Sequence, residues 1–151
     1  MAKIKTWREK LEKDQPRKIV DDPRSKGKLL IPKPLDVDAL IKKVGKGKLA
    51  TVDQIRQRLA RDFGADSTCP LCTGIFLRIA AGAAEEDLDK GITEITPYWR
   101  IVKGDGSLNQ KFPGGVDHQA ARLSQEGHII EPGRGKKPPR VKDFERVLVE
   151  L

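Results

Sequence analysis

Two helix-length segments, each punctuated at both ends, constrain this chain most. Thr51 and Gln54 form a capping box, in which the hydroxyl accepts the amide of residue 54 and the glutamine reaches back to the amide of residue 51. Val52, Ile55, Leu59 and Phe63 then recur on one helical face, and Gly64 supplies the stop. A second helix opens with Thr68 or Ser67 as its cap and Pro70 in its first turn, where a missing amide hydrogen costs little. Its apolar positions are Leu71, Ile75, Ile79 and Ala83, and the small residues from Ala80 to Ala84 leave room for another element to come close. Joined by Gly64-Ala65-Asp66-Ser67, the pair has the proportions of a helix-turn-helix with Leu71 at the tip of the second helix.

The flanks are punctuated differently. Pro16, Pro23, Pro32 and Pro34 lie among alternating charges, which supports at most a short helix from Trp7 to Lys13 and predicts a flexible basic arm over 1–34. The domain is expected to begin at Leu35, with a helix carrying Val37, Leu40, Ile41 and Val44. Trp99, Ile101 and Val102 predict a short strand that turns at Lys103-Gly104-Asp105-Gly106 as a hairpin. Pro113-Gly114-Gly115 precedes a helix from Val116 to Glu126, closing a domain at 131. Residues 132–151 read as a basic linker followed by a C-terminal helix through Val141, Phe144, Leu148 and Leu151. At 151 residues the chain holds one core. Its apolar runs are too short to span a bilayer and its start lacks a secretory apolar stretch, so a cytoplasmic protein with reduced thiols is expected.

The formal net charge of +8 points to a polyanion. Its distribution is uneven: net +5 over residues 1–36, zero over 37–131 and +3 over 132–151. Within the neutral middle, residues 42–61 hold Lys42, Lys43, Lys46, Lys48, Arg56, Arg58 and Arg61 against Asp53 alone, while Glu85, Glu86, Asp87 and Asp89 form an acidic cluster.

From Thr96 onward the residues resemble a known family. Thr96-Pro97-Tyr98-Trp99-Arg100-Ile101-Val102, then Gly104-Asp105-Gly106-Ser107-Leu108, Pro113-Gly114-Gly115 and Gln125-Glu126-Gly127 are similar to the active-site half of the methylated-DNA–protein cysteine methyltransferases. Gly47 to Gly74 lines up with that family's DNA-binding helix-turn-helix. In the resemblance Tyr98 stands where the nucleophilic cysteine would be, Trp99 replaces the activating histidine, and Glu126 matches the glutamate that orients it. A phenol of pKa about 10 beside an indole without a basic nitrogen is no activated nucleophile. The chain therefore resembles the alkyltransferase-like branch, which binds alkylated DNA without repairing it and flags the lesion for excision repair.

The resemblance implies a mainly α, winged helix-turn-helix-like domain and a non-enzymatic, monomeric, nucleoid-associated protein whose partners are duplex DNA, alkylated or plain, and a repair protein. It needs no cofactor and no metal. DNA contacts are expected from Thr51, Gln54, Thr68, Thr73, Gly74 and Arg100, with Leu71 as an apolar wedge where the family has arginine. Val52 replaces the family's nucleotide-rotating tyrosine. Tyr98, Trp99, Phe112, Pro113 and Gly114 are expected to line a base pocket, the alternative being that the aromatics are core residues.

Two rival functions stay open. One is a general DNA- or RNA-binding module without a lesion pocket. The other is a redox or interaction protein built on the CxxC of Cys69 and Cys72 at a helix start, although a thioredoxin-like site follows a strand and the residues before Cys69 read as a helix and a polar turn. Zinc would need further ligands, and His118 and His128 are not spaced as a finger pair.

Overall fold

The computed structural model describes residues 6–151. A short helix α1 (Trp7–Leu11) leads to strands β1 (Lys18–Asp21) and β2 (Lys28–Ile31), then helix α2 (Pro34–Ile41), strand β3 (Ala50–Thr51) and helix α3 (Val52–Phe63). Strand β4 (Ser67–Thr68) opens into the long helix α4 (Pro70–Asp89), followed by a 3-10 turn at Tyr98–Arg100, strand β5 (Ile101–Val102) and helix α5 (Gly115–Gln125). Strands β6 (Ile130–Glu131) and β7 (Arg140–Val141) and a 3-10 turn at Phe144–Val147 complete the chain. The strands form three small sheets, ordered β1-β2-β4, β3-β5 and β6-β7. The mainly α expectation is thus corrected to a mixed fold, because short strands tie together segments far apart in sequence. Among the described residues no helix is long and apolar enough to cross a membrane.

Helix α3 forms where its local signals put it. The Thr51 hydroxyl accepts the Gln54 amide at 3.1 Å, Gln54 Oε1 accepts the Thr51 amide at 2.9 Å, and Gly64 closes the helix at φ +73°. Helix α4 departs from the sequence reading at its cap. Ser67 and Thr68 pair in parallel with Leu29 and Leu30, so the capping role passes to Cys69, whose sulfur accepts the Cys72 amide at 3.2 Å. The connection between the two helices is therefore a strand-bearing segment, 64–69, rather than a bare four-residue turn.

The expected flexible arm is corrected too, with residues 1–5 outside the described residues. Leu11 and Leu30 are fully buried, and β1-β2 adds to β4. Thr6 caps α1 locally in a capping box with Glu9, and Glu86, 79 residues downstream of Trp7, accepts the two remaining first-turn amides, of Trp7 at 3.0 Å and Arg8 at 2.8 Å, while Asp87 pairs with the Arg8 guanidinium. The Trp7 ring lies over Gly82, where an added Cβ would sit 2.3 Å from the indole. The small residues of α4 thus receive α1, and two members of the acidic cluster fasten it.

The C-terminal segment is not the predicted helix. Leu49 donates its amide to the Val147 carbonyl and accepts the Val149 amide, both at 2.9 Å, and satisfying both bonds requires an extended chain beyond Phe144–Val147. The expected basic linker folds back as the β6-β7 hairpin. The turn at 103–106 forms, with the Gly106 amide on the Lys103 carbonyl at 2.9 Å. Its strand β5, however, pairs in parallel with β3 instead of making the predicted hairpin, and Ser107 bridges to Arg140.

Gly106 has φ +84°, and a Cβ there would lie 2.4 Å from Phe144. Gly106→Ala is expected to destabilise the fold by about 3 kcal/mol, combining left-handed strain with overpacking. That corresponds to a fall of about 10 °C in a thermal unfolding scan. A shift of a degree or two would show that Phe144 yields freely.

Candidate nucleic-acid interface

Because β3 and β5 run parallel, the chain leaves both at the same edge, bringing the first turn of α3 beside the turn at 103–106. An added Cβ on Gly104 would lie 2.9 Å from the Asp53 carboxylate, which measures how closely the two approach. On the other side of this turn, the start of α4 faces segment 103–111 across an open groove of about 330 Å³. That volume lies at the small end of ligand sites, about 300–1,000 Å³. Pro70, Leu71, Gly74 and Ile75 form its apolar wall, and Arg78, Lys103 and Lys111 stand around it as exposed cations. Leu71 is 73% exposed and Ile75 43%, an apolar ridge bordered by positive charge.

The remaining expected contact residues mostly serve the fold. Thr51 is buried as the α3 cap, and Gln54 donates its amide to the Val149 carbonyl at 2.7 Å. The Thr68 hydroxyl is buried and donates to the Arg56 carbonyl at 2.7 Å, while Arg56 Nε donates back to the Thr68 carbonyl at 2.9 Å. Thr73 is buried with its hydroxyl on the Cys69 carbonyl at 2.8 Å. The buried hydroxyls are corrected from DNA contacts to fold contacts, Thr51 at the cap of α3 and Thr68 and Thr73 at the start of α4, and Gln54 ties α3 to the C-terminal segment. Gly74 and Leu71 do reach the groove. The basic stretch is also partly engaged: Arg58 pairs with Asp62 at 2.9 Å, Lys42 with Asp38 at 3.2 Å, and Arg61 donates to the Leu151 carbonyl at 3.0 Å. Lys43, Lys46 and Lys48 are exposed.

Tyr98, Trp99 and Glu126 belong to a network of buried and half-buried side chains. Trp99 donates its indole N–H to Glu126 at 3.1 Å, as a histidine ring nitrogen would, but an indole only donates. Arg100 grips the same carboxylate at 2.7–3.2 Å and donates to the Val44 carbonyl at 2.7 Å, so its guanidinium is engaged within the protein. Burial pushes the Glu126 carboxyl up, but the bonds from Arg100 and Trp99 outweigh it and hold the group below the usual glutamate value.

Tyr98 is 1% exposed and donates its hydroxyl to Glu85 at 2.5 Å, which Arg122 also grips at 2.8 Å. Burial and then the Glu85 carboxylate push this phenol well above its ordinary value. Its ring meets Phe112 edge-on at 5.2 Å, and Phe112 is 3% exposed. The expected base pocket is corrected accordingly. Tyr98 and Phe112 are core side chains, Trp99 is 9% exposed, Pro113 is half-buried and Gly114 lies on an exposed turn at φ +80°. Tyr98 packs edge-to-face with both Trp99 and Phe112, and the Arg122 guanidinium lies over the Trp99 ring at 4.4 Å.

Sequence reasoning passed over Gln119, Glu85, Arg122, Lys103 and Lys111. Gln119 is buried, donates to the Trp99 and Ile101 carbonyls at 3.1 Å and accepts the Asn109 amide at 2.8 Å, so it fixes both the 98–101 segment and the loop that lines the groove. A lone glutamine in a helix carries no local signal of this. Glu85 was visible only as charge in a cluster, and Lys103 and Lys111 only as single loop lysines.

His128 Nε2 is buried without a hydrogen-bond partner, and desolvation holds its pKa below 6.5. The unfolded chain therefore takes up a proton first, so stability is expected to fall as pH drops below about 6.5. His128→Gln should remove that step from chemical unfolding curves measured at pH 5 and pH 8; an unchanged pH dependence would show the ring is not its source.

No family model matches the chain, and no curated protein matches it. Two solved structures do, both over 78% of this chain and 94% of theirs. One is S. pombe Atl1 in complex with damaged DNA containing O6-carboxymethylguanine, at 16% identity and a TM-score of 0.52. The other is S. pombe ATL in complex with DNA, at 17% identity and 0.54. At this identity the likeness establishes the shared fold.

Proposed function

We propose that this chain is a non-catalytic DNA-binding protein of the alkyltransferase-like kind. In this reading α3 and α4 act as the helix-turn-helix pair of a winged-helix-like domain, the start of α4 lies against duplex DNA, and Leu71 inserts between base steps at O6-alkylguanine-type lesions. The observation that carries it is the exposed leucine on an apolar ridge bordered by Arg78, Lys103 and Lys111. Cations position a duplex through its phosphates, and an apolar side chain among them has the bases as its natural partner. The fold shared with proteins solved on DNA supports the same partner. It acts as a monomer on the nucleoid in the cytoplasm, and its effect on repair passes through a protein that reads the bound complex.

Binding is tested by titrating duplexes with and without one O6-alkylguanine at two salt concentrations. If the three groove cations each neutralise one phosphate, log K falls with log salt at a slope of about −3 for both duplexes. The modified duplex is expected to bind tighter at both salts. Equal affinities would defeat the lesion-sensing part and leave the second reading, a general nucleic-acid-binding module. That reading is favoured by the burial of Tyr98 and Phe112, which offer no ring face to a base.

Alkyl transfer is absent in this proposal. Tyr98 has a carboxylate on its hydroxyl and Trp99 cannot accept a proton. Tyr98→Cys alone is therefore expected to give no labelled alkyl group on the protein after incubation with alkylated DNA. Detectable transfer would show that Glu126 or Glu85 can activate a thiol without a histidine.

A further inference from the structure

The DNA-binding reading leaves Cys69 and Cys72 unused apart from the helix cap, yet their arrangement has chemistry of its own. Cys69 Sγ accepts the Cys72 amide at 3.2 Å, which brings the two residues together across one turn at the start of α4. Both residues are half-buried free cysteines, so a small reagent can reach them while the helix start holds them together. Leu71 lies between them in the chain on the exposed ridge.

We propose that Cys69 and Cys72 are a reversible dithiol–disulfide site that exchanges with low-molecular-weight disulfides. Cys69, deprotonated, attacks one sulfur of a disulfide RSSR; the S–S bond breaks and RS⁻ leaves, taking up a proton as RSH. Cys72 then loses its proton and attacks the Cys69 sulfur of the mixed disulfide, expelling the second RS⁻, which is protonated in turn. One RSSR is reduced to two RSH, and two protein thiols are oxidised to one disulfide. The order follows from the environment of Cys72. Burial first, and its bond to Cys69 second, push that thiol up to about 11, making it the poor first nucleophile and the group placed to resolve the mixed disulfide.

The test equilibrates the full chain with glutathione disulfide and glutathione, with no DNA present, so its outcome is independent of the DNA-binding reading. Expected are the joint loss of both free thiols, a mass lower by two hydrogens and a chain that stays monomeric without reductant. Cys72→Ser is expected to accumulate one glutathione on Cys69. Cys69→Ser should acquire glutathione at least about tenfold more slowly. The site is overturned if the unmodified chain keeps both thiols in glutathione disulfide alone, or ends as glutathione adducts or intermolecular disulfides. Equal rates for the two serine variants would overturn the assigned order.

Discussion

Leu71→Ala is expected to weaken binding to a lesion-bearing duplex by about 30-fold and to leave the melting temperature where it is. The side chain is 73% exposed, so its removal opens no cavity, and a surface truncation of this kind changes stability by less than about 0.5 kcal/mol. In the complex the same carbons leave water. Three of them at about 0.8 kcal/mol each, scaled by the 73% that starts exposed, come to about 2 kcal/mol, or roughly 30-fold in Kd. Fluorescence anisotropy on modified and plain duplexes measures both halves of the claim. A change under twofold on the modified duplex would remove the wedge. An equal loss on both duplexes would keep Leu71 in contact with DNA but take lesion selectivity away from it.

Glu126→Ala is expected to be the most destabilising single change in the network around Trp99, at about 3–5 kcal/mol. The Glu126 and Arg100 side chains are only 8% and 14% exposed. Without the carboxylate, a guanidinium with a single remaining carbonyl partner and the indole N–H of Trp99 are left in a poorly hydrated site. For a chain of this size the unfolding temperature should drop by about 10 °C or more. A loss below about 1 kcal/mol would show that water replaces the carboxylate. Adding Arg100→Met should recover part of the loss, because an apolar pair has no charge to desolvate. Glu126 also sets a pH dependence. Its folded pKa lies below the unfolded value of 4.5, so its contribution is full above that value and is lost as the pH falls through the depressed one.

How much was legible follows from where each hydrogen-bond partner sits. Helix α3 was readable to its last residue because its cap, its box and its closing glycine are all local. Leu71 at the tip of α4 was readable because Pro70 marks the helix's first turn. The cap of α4 was not, since Ser67 and Thr68 are drawn into a strand by Leu29 and Leu30, almost forty residues upstream. The arm and the tail failed alike: Glu86 and Leu49 determine their conformations from elsewhere in the chain. Within the site, residue types suggested contacts that the fold had already claimed. A threonine beside a helix start can serve a phosphate or its own backbone, and only the structure shows that Thr68 and Thr73 bond to the carbonyls of Arg56 and Cys69. Tyr98 was ambiguous between pocket and core until Phe112 and Glu85 were found against it.

The distant carboxylate that anchors the first turn of α1 bears on the order in which the protein assembles. Seventy-nine residues separate Trp7 from Glu86. At a synthesis rate of about 5–20 residues per second, the first helix has only its own Thr6–Glu9 capping box for roughly 4–16 s on the ribosome before its long-range anchor exists. Five residues cannot hold a helix alone for that time. The N-terminal segment therefore emerges first and folds late, threading its tryptophan onto a glycine in a helix made after it. A ribosome stalled before residue 86 would display that segment as an open, basic chain, accessible to proteases that leave the finished molecule intact.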